Sequence, residues 1–386
     1  MRMNNKELSK RLQEGTWQEI MPSLWEAMQA KVDQMIIQIG DKSPHVAPPD
    51  TGKYDDMRHD WWTAGFWPGI LWIMYDLTGK PHYREKAWSW DERFEQKSVQ
   101  DNNFHHDVGF QYLPTAVVKY KLTGDQAGRR RGLAAANFLA GRYNMAGKFL
   151  RAWNQDKTGW SIVDSSMNLS LLFWAAEEIK DPRFDMIARA HADTVVEHFI
   201  RPDGSVNHIV SFDPYTGEVI ESLGGQGAGP DSSWSRGAAW ALHGMANTYR
   251  YTQDKKYLHA AQRVAHYFLA MLPEDSVPHW DFRAAESLVD EPRDTSAGSC
   301  AASGLLELAD ALPPVQGRPY REAAERIMLG LTRHYGVWDK PDYEAILTCG
   351  TGNKPADSNI DVSLIYGDYY YVETLAKLLG WKNRIF

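Results

Sequence analysis

The sequence predicts an all-α chain in which about six helical hairpins close into a ring, and three observations carry that reading. Apolar residues recur at helical spacing: Ala188, Ala192, Val195 and Val196, like Ala260, Val264, Tyr267 and Phe268, keep the i, i+4, i+7, i+8 order that gives a helix one buried face. Short polar breaks separate such stretches in pairs. The hairpins follow one another at uneven intervals, roughly 45 to over 70 residues, which does not fit a short-period solenoid. A closed toroid is the natural alternative, because a ring leaves no end repeat to cap. The whole chain, 1–386, is expected to form this one domain.

Taken in order, residues 1–40 read as an opening helical segment, with an amphipathic helix from Trp17 to Ile39. Breaks follow in LTGKPHYREKA after Asp76, LTGDQAGRRRGLAAANFL after Lys121, IKDPRFDMIARAHADTVVEHF after Glu178, TQDKKYLHAAQRVAHYFL after Tyr251 and VQGRPYREAAERIMLGLTRHY after Pro314. In each, Gly, Asp or Pro stops one helix and an aromatic or apolar residue starts the inward stripe of the next. The stretch YYYVETLAKLLG supplies the last helix. In such a ring the loops before the inner helices converge on one mouth, so polar and aromatic clusters at hairpin starts are where chemistry is sought.

Composition narrows the chemistry. With 42 basic and 50 acidic residues the net charge is −8, which argues against a nucleic-acid binder. No apolar run approaches the roughly 20 residues that cross a bilayer, and the first residues lack the apolar core of a signal peptide, so a cytoplasmic protein without membrane contact is expected. Two cysteines, Cys300 and Cys349, support neither a disulfide framework nor a cysteine zinc site. Aromatic residues make up 12% of the chain, with 16 tryptophans recurring beside Asp, Arg, Gly and His. Tryptophan faces stack on the C–H faces of sugar rings while polar neighbours orient hydroxyls, so carbohydrate is the favoured ligand class, although for any single tryptophan a place in the core is the first expectation.

Asp107 and Asp164 stand out, each between bulky neighbours at the start of an expected inner helix. Either can be a plain N-cap. For Asp164 the preceding Trp160-Ser-Ile-Val suggests a buried approach, where desolvation raises a carboxyl toward the range of a general acid, and paired carboxylates are standard equipment for glycosidic chemistry. His105 and His106 beside Asp107 raise the question of a metal, but no helical ligand spacing such as H-E-x-x-H occurs, and neither metal nor cofactor is expected. Nucleophile-elbow, P-loop and dinucleotide motifs are missing. The run GGQGAG, 224–229, reads as a mobile loop over the mouth, lying between helices with no strand before it.

The segments WTAGFWPGILW, HHDVGF, IVDSSMNLSLLFWA, SSWSRGAAWA, PRDTSA and GDYYYVE together resemble the unsaturated glucuronyl hydrolases, in order and over nearly the whole chain. The resemblance implies an (α/α)6 barrel. It implies as substrate an oligosaccharide left by a polysaccharide lyase, from a glycosaminoglycan or similar polymer, with a 4,5-unsaturated uronic acid at its non-reducing end. It also implies Asp164 as acid and base and Asp107 as its partner. His208 and Gln226 match positions that hold sugar and water, with His106 beside them; Arg236, Trp234 and Trp240 match the SSWSRGAAW segment, and Trp62 and Trp153 match aromatic walls. Arg236 could also be a helix-surface salt bridge, and His208 a cap or core residue.

The pattern is not complete. Ala64 stands where the family often has Asp, Ala238 where it often has Gln, and LTCGTGNKPADSNIDVSL departs from the Ser-x-x-Ser-x-Lys arrangement that holds a substrate sulfate in some members. Thr351 and Lys354 are possible stand-ins there, or parts of an ordinary solvated loop. Related rhamnogalacturonyl hydrolases acting on pectin fragments, a sugar epimerase on the same barrel, and a non-catalytic carbohydrate-binding protein are the competing readings. A monomer is expected.

Overall fold

The computed structural model describes residues 12, 14–100, 103–154 and 156–386. Its helices are α1 (Trp17–Ile39), α2 (Phe66–Thr78), α3 (Pro81–Ala87), α4 (Trp90–Gln100), α5 (Val108–Tyr112), α6 (Val118–Thr123), α7 (Gln126–Ala140), α8 (Ser165–Ile179), α9 (Pro182–Thr194), α10 (Ser235–Thr252), α11 (Lys255–Ala270), α12 (Thr295–Asp310), α13 (Pro314–His334) and α14 (Ile365–Leu378). A π-helical turn, Leu113–Val117, joins α5 to α6 in one rod, and a second, Val195–Phe199, extends α9. Pro114 has no N–H to give to the carbonyl one turn back, which explains the first departure from α geometry. Of the expected opening segment, residues 1–11 and 13 lie outside the described residues.

The inner wall consists of α2, the α5–α6 rod, α8, α10, α12 and α14, each packed on the next, and α14 returns to α2. The ring is closed, and with α1, α3–α4, α7, α9, α11 and α13 outside it the fold is an (α/α)6 barrel. Sequence decides which helix goes where. Inner helices are apolar or small-residue all round, as in α12, where Thr295 through Ala309 are buried without a break. Outer α11 buries only one stripe, Tyr257, Leu258, Ala260, Ala261, Val264, Ala265 and Phe268. At the end opposite the mouth the Phe386 ring fills the axis, 5.7 Å from Phe110 and 6.0 Å from Tyr370.

Local signals set four of the five breaks. Gly79 and Gly124 end α2 and α6 at φ 68° and 76°, and Lys180 and Gln253 hold the same left-handed place after α8 and α10. Asp125, Asp181 and Asp254 then cap the following helices, accepting from the backbone N–H of Gly128, Arg183 and Lys256 at 2.7, 2.9 and 3.0 Å. The fifth expected break is displaced. α13 begins at Pro314 and runs through Gly317 and Pro319, so these residues interrupt nothing. Gly317 serves a close approach instead: a Cβ there would meet the Ala309 carbonyl at 2.3 Å.

Small sheets, absent from an all-helical expectation, decorate the ring. The strands are β1 (Val46–Ala47), β2 (Tyr143–Asn144), β3 (Phe149–Leu150), β4 (Trp160–Ile162), β5 (Ile209–Phe212), β6 (Val219–Leu223) and β7 (Ser363–Leu364). β1 pairs with β7, β2 with β3, and β4–β5–β6 form one antiparallel sheet with Ile162 opposite Ile209 and Ile209 opposite Leu223. This sheet carries the chain into the site. It also corrects the reading of the glycine run, because β6 ends at Leu223 and Gly224 follows it directly.

Candidate active site

Because all inner helices start at one end, the residues before them share a mouth. Asp107 immediately precedes α5 and Asp164 immediately precedes α8. Both occupy cap positions, yet neither side chain accepts a bond from its helix, unlike Asp125, Asp181 and Asp254. Their φ and ψ, −79° and 9° for Asp107 and −56° and −28° for Asp164, are not the extended values of a capping residue. The N-cap reading fails for both.

Asp164 arrives on β4, whose next residue, Val163, donates its N–H to the His208 carbonyl at 3.0 Å. Its Oδ1 is buried and has no hydrogen-bond partner. Burial pushes the carboxyl up to about 7, against the pull of the Arg236 charge. Asp107 is held well above the usual carboxylate range, first by burial and then by Asp164, with the Asn168 amide opposing. Burial is the first cause for both carboxyls, and repulsion between the two is the second for Asp107.

Asn168, one turn into α8, ties the two together. Its amide nitrogen donates to Asp107 Oδ1 at 3.3 Å and to the Asp164 carbonyl at 3.2 Å, while its Oδ1 accepts from the Phe110 N–H at 2.8 Å. The sequence reading overlooked this residue, although a lone amide four places after Asp164 in an apolar helix was the available signal. His45 was also overlooked; it lies edge-on to Trp62 with ring centroids 6.2 Å apart, and burial pushes it down to about 4.

His208 completes the polar floor. The Gln226 N–H donates to its Nδ1 at 2.8 Å, shorter than the 3.2 Å from that atom to the Gly224 carbonyl; the shorter bond makes Nδ1 an acceptor and leaves the proton of the neutral ring on Nε2. That nitrogen lies 3.8 Å from Asp164 Oδ1 and likewise has no hydrogen-bond partner. Burial pushes His208 down to about 3, so it is neutral over the working pH range. Gly225, at φ 57°, makes the contact possible: a Cβ would stand 2.1 Å from His208 Nδ1. The glycine run is thus packed against the site rather than swinging above it.

Other expected contacts fall into two groups. Trp62, Trp153 and Gln226 are half-buried at the mouth, and Trp62 leans on Tyr366 with centroids 4.9 Å apart. The second group lies beneath the surface. Trp240 is 1% exposed and packs between Phe110 and Tyr370, so it is core and not a sugar-stacking wall. Trp234 is buried too, its ring 4.3 Å from that of His208 and 4.5 Å from the Arg236 guanidinium, so it supports these groups from behind. His106 is buried with Nδ1 2.9 Å from Ser165 Oγ.

Arg236 is no surface salt bridge. It is buried, ion-paired with Asp294 and donates to the carbonyls of Thr351 and Gly352 at 2.6 Å each. Thr351 is thereby corrected as a sulfate contact, since it is buried and its hydroxyl donates to the Arg293 carbonyl at 2.7 Å. Lys354 is half-buried, 3.9 Å from Glu291 Oε2. Ligand atoms of His105, His106 and Asp107 lie within 4.8 Å of one another, a spacing that could admit a cation. Two of these residues are already engaged, His106 by Ser165 and Asp107 by Asn168.

The model of Glycosyl Hydrolase Family 88 matches residues 31–379. The chain belongs to that family. As a family 88 protein it is a glycoside hydrolase. It is 35% identical over 351 residues to the unsaturated glucuronyl hydrolase of Bacillus sp. (strain GL1), covering 88% of this chain and 92% of that one. It is 32% identical to the unsaturated chondroitin disaccharide hydrolase of Streptococcus pyogenes serotype M1, covering 84% and 83%. Among solved structures, the Bacillus sp. GL1 enzyme, responsible for the degradation of glycosaminoglycan, superposes with a TM-score of 0.88 at 33% identity over 94% of this chain and 97% of that one. A Streptococcus agalactiae variant complexed with dGlcA-GalNAc6S gives 0.82 at 28% identity, over 98% and 96%. No helix among the described residues is long and apolar enough to cross a membrane.

Proposed function

We propose that this family 88 hydrolase releases the 4,5-unsaturated uronic acid from the non-reducing end of lyase-made glycosaminoglycan or similar oligosaccharides, with Asp164 as acid and base. The C4=C5 bond of such a sugar is a vinyl ether. Asp164 delivers its proton to C4, the positive charge develops at C5 beside the ring oxygen, and water adds there while returning a proton to Asp164. The hemiketal at C5 then collapses, and the glycosidic bond opens without attack at C1. One observation carries this reading: Asp164 is protonated up to about pH 7 while its buried Oδ1 and the His208 Nε2 stand unpartnered 3.8 Å apart. A water or sugar hydroxyl placed there bonds both.

Asp107, oriented by Asn168, serves as the second carboxyl. Trp62 and Trp153 offer faces to the sugars, Gln226 and His208 bind hydroxyls and water, and Arg236 contributes its field from below. The same reading makes the protein a cytoplasmic monomer, in keeping with its two free cysteines. The test is product analysis after reaction in D₂O and in ¹⁸O water. Deuterium at C4 with the water oxygen at C5 is expected; oxygen at C1 without deuterium at C4 rejects the mechanism.

A further inference from the structure

One cation at the mouth has no work in this scheme. Lys157, between β3 and β4, is exposed, and its Nζ lies 4.3 Å from the Trp160 ring and 5.1 Å from the Trp153 ring. The two rings meet edge to face at 5.6 Å. Three other lysines over aromatic rings have an acid beside them, while Lys340 over Tyr343, like Lys157, has none among the described residues. Lys119 over Trp88 pairs with Asp91 at 3.2 Å, Lys256 over Tyr257 with Asp193 at 2.6 Å, and Lys354 over Trp280 has Glu291 at 3.9 Å. Lys157 has no carboxylate within ion-pair distance among the described residues, although Asp156 adjoins it and Glu221 shares the Trp160 face of the sheet through Ser211.

Its position relative to the reaction follows from the strand. Trp160 precedes Asp164 by four residues, extended as far as Ile162 and then turning into the helix, so less than about 13 Å separates them, within reach of a short oligosaccharide. Trp153, Trp160, Ile162, Ile209 and Leu223 form an apolar cluster separate from the main core. The two half-buried indoles offer faces to a pyranose, and the ammonium beside them is free to bond.

We propose that Lys157 determines specificity by receiving an anionic substituent, sulfate ester or carboxylate, on the sugars that follow the unsaturated uronate. This rests on the function proposed above. The test compares wild type, Lys157→Gln and Lys157→Arg on three lyase products: an unsulfated unsaturated disaccharide, the same disaccharide with one sulfate on its hexosamine, and an unsulfated tetrasaccharide whose next uronate carries the charge. In Lys157→Gln the ratio of kcat/KM for a charged substrate to that for the neutral disaccharide falls about threefold to tenfold, and Lys157→Arg restores it. Loss confined to the sulfated disaccharide identifies sulfate as the group read; loss confined to the tetrasaccharide identifies the carboxylate. Equal loss on all three, or no loss, overturns the proposal. Tryptophan fluorescence titrations with the same saccharides separate the two claims: charge-selective binding that depends on Lys157 without any turnover upholds Lys157 and rejects the hydrolytic reading, and binding indifferent to charge rejects Lys157.

Discussion

Buried charge is handled in opposite ways at the two ends of this barrel. At the closed end Glu307 is surrounded: Lys377 lies 2.7 Å and Arg384 2.5 Å from its Oε1, and Arg250 3.3 Å from its Oε2. Burial opposes ionisation there, yet these three cations hold Glu307 well below the usual carboxylate range. At the mouth Asp164 is buried with no such escort, and burial prevails. The same residue class is thus an ion-paired structural anion in one place and a stored proton in the other. The difference lies in the partners, not in depth.

That contrast is broken or sharpened first at Asp164. Asp164→Asn keeps the shape and removes the proton, so kcat is expected to fall by at least ~10²–10⁴-fold. The variant should also melt higher than wild type at pH 8. A carboxyl whose folded pKa is raised loses stability as pH climbs from its unfolded value near 4 through about 7, and the amide is spared that loss. Rate loss accompanied by a lower Tm at that pH would mean Asp164 is structural after all.

Glu307→Gln should do the reverse. Removing one member of a buried ion cluster costs about 3–5 kcal/mol, read as a lower midpoint in urea, with kcat of the folded protein little changed. The sign with pH reverses too: the stability Glu307 gives is present above its unfolded pKa, near 4, and is lost on acidification.

A smaller effect separates the ends by titration. The acid form of Asp164 is the active one, so kcat/KM should decline as pH rises through about 7, tenfold per unit at the alkaline limb. A flat profile to pH 9 would reassign the proton donor. Least of all, Asn168→Ala should lower kcat about tenfold by freeing Asp107 while leaving KM nearly unchanged, since Asn168 touches the carboxylate and not the mouth. A rise in KM alone would make it a binding residue.

How much of this could be read from the chain depends on range. Hairpins were legible because their signals are local: Gly79 and Gly124 in left-handed turns, Asp125, Asp181 and Asp254 one residue before a helix. Asp107 and Asp164 were legible as hairpin starts. The β4–β5–β6 sheet was not, because Trp160–Ile162 is too short to show a period of two beside so much helix. Arg236 misled for a related cause, since its partners Asp294 and Thr351 lie 58 and 115 positions away and no spacing announces them. Trp240 and Trp62 look alike as letters; only the ring places one in the core and the other at the mouth.

The closure of that ring has a consequence in time. α2 shows its last unpaired side to solvent until α14 exists, and β1 waits for β7, some 300 residues later in the chain. At ~5–20 residues per second of synthesis that interval is roughly 15 to 60 seconds. During it the strongly apolar Phe66–Met74 face has no neighbour on one side, and the non-local contact that finally covers it is of the slow kind. Folding of this barrel is therefore gated by the ribosome's arrival at the last hairpin, and expression at lower temperature or with a holding chaperone should favour the closed ring over aggregation.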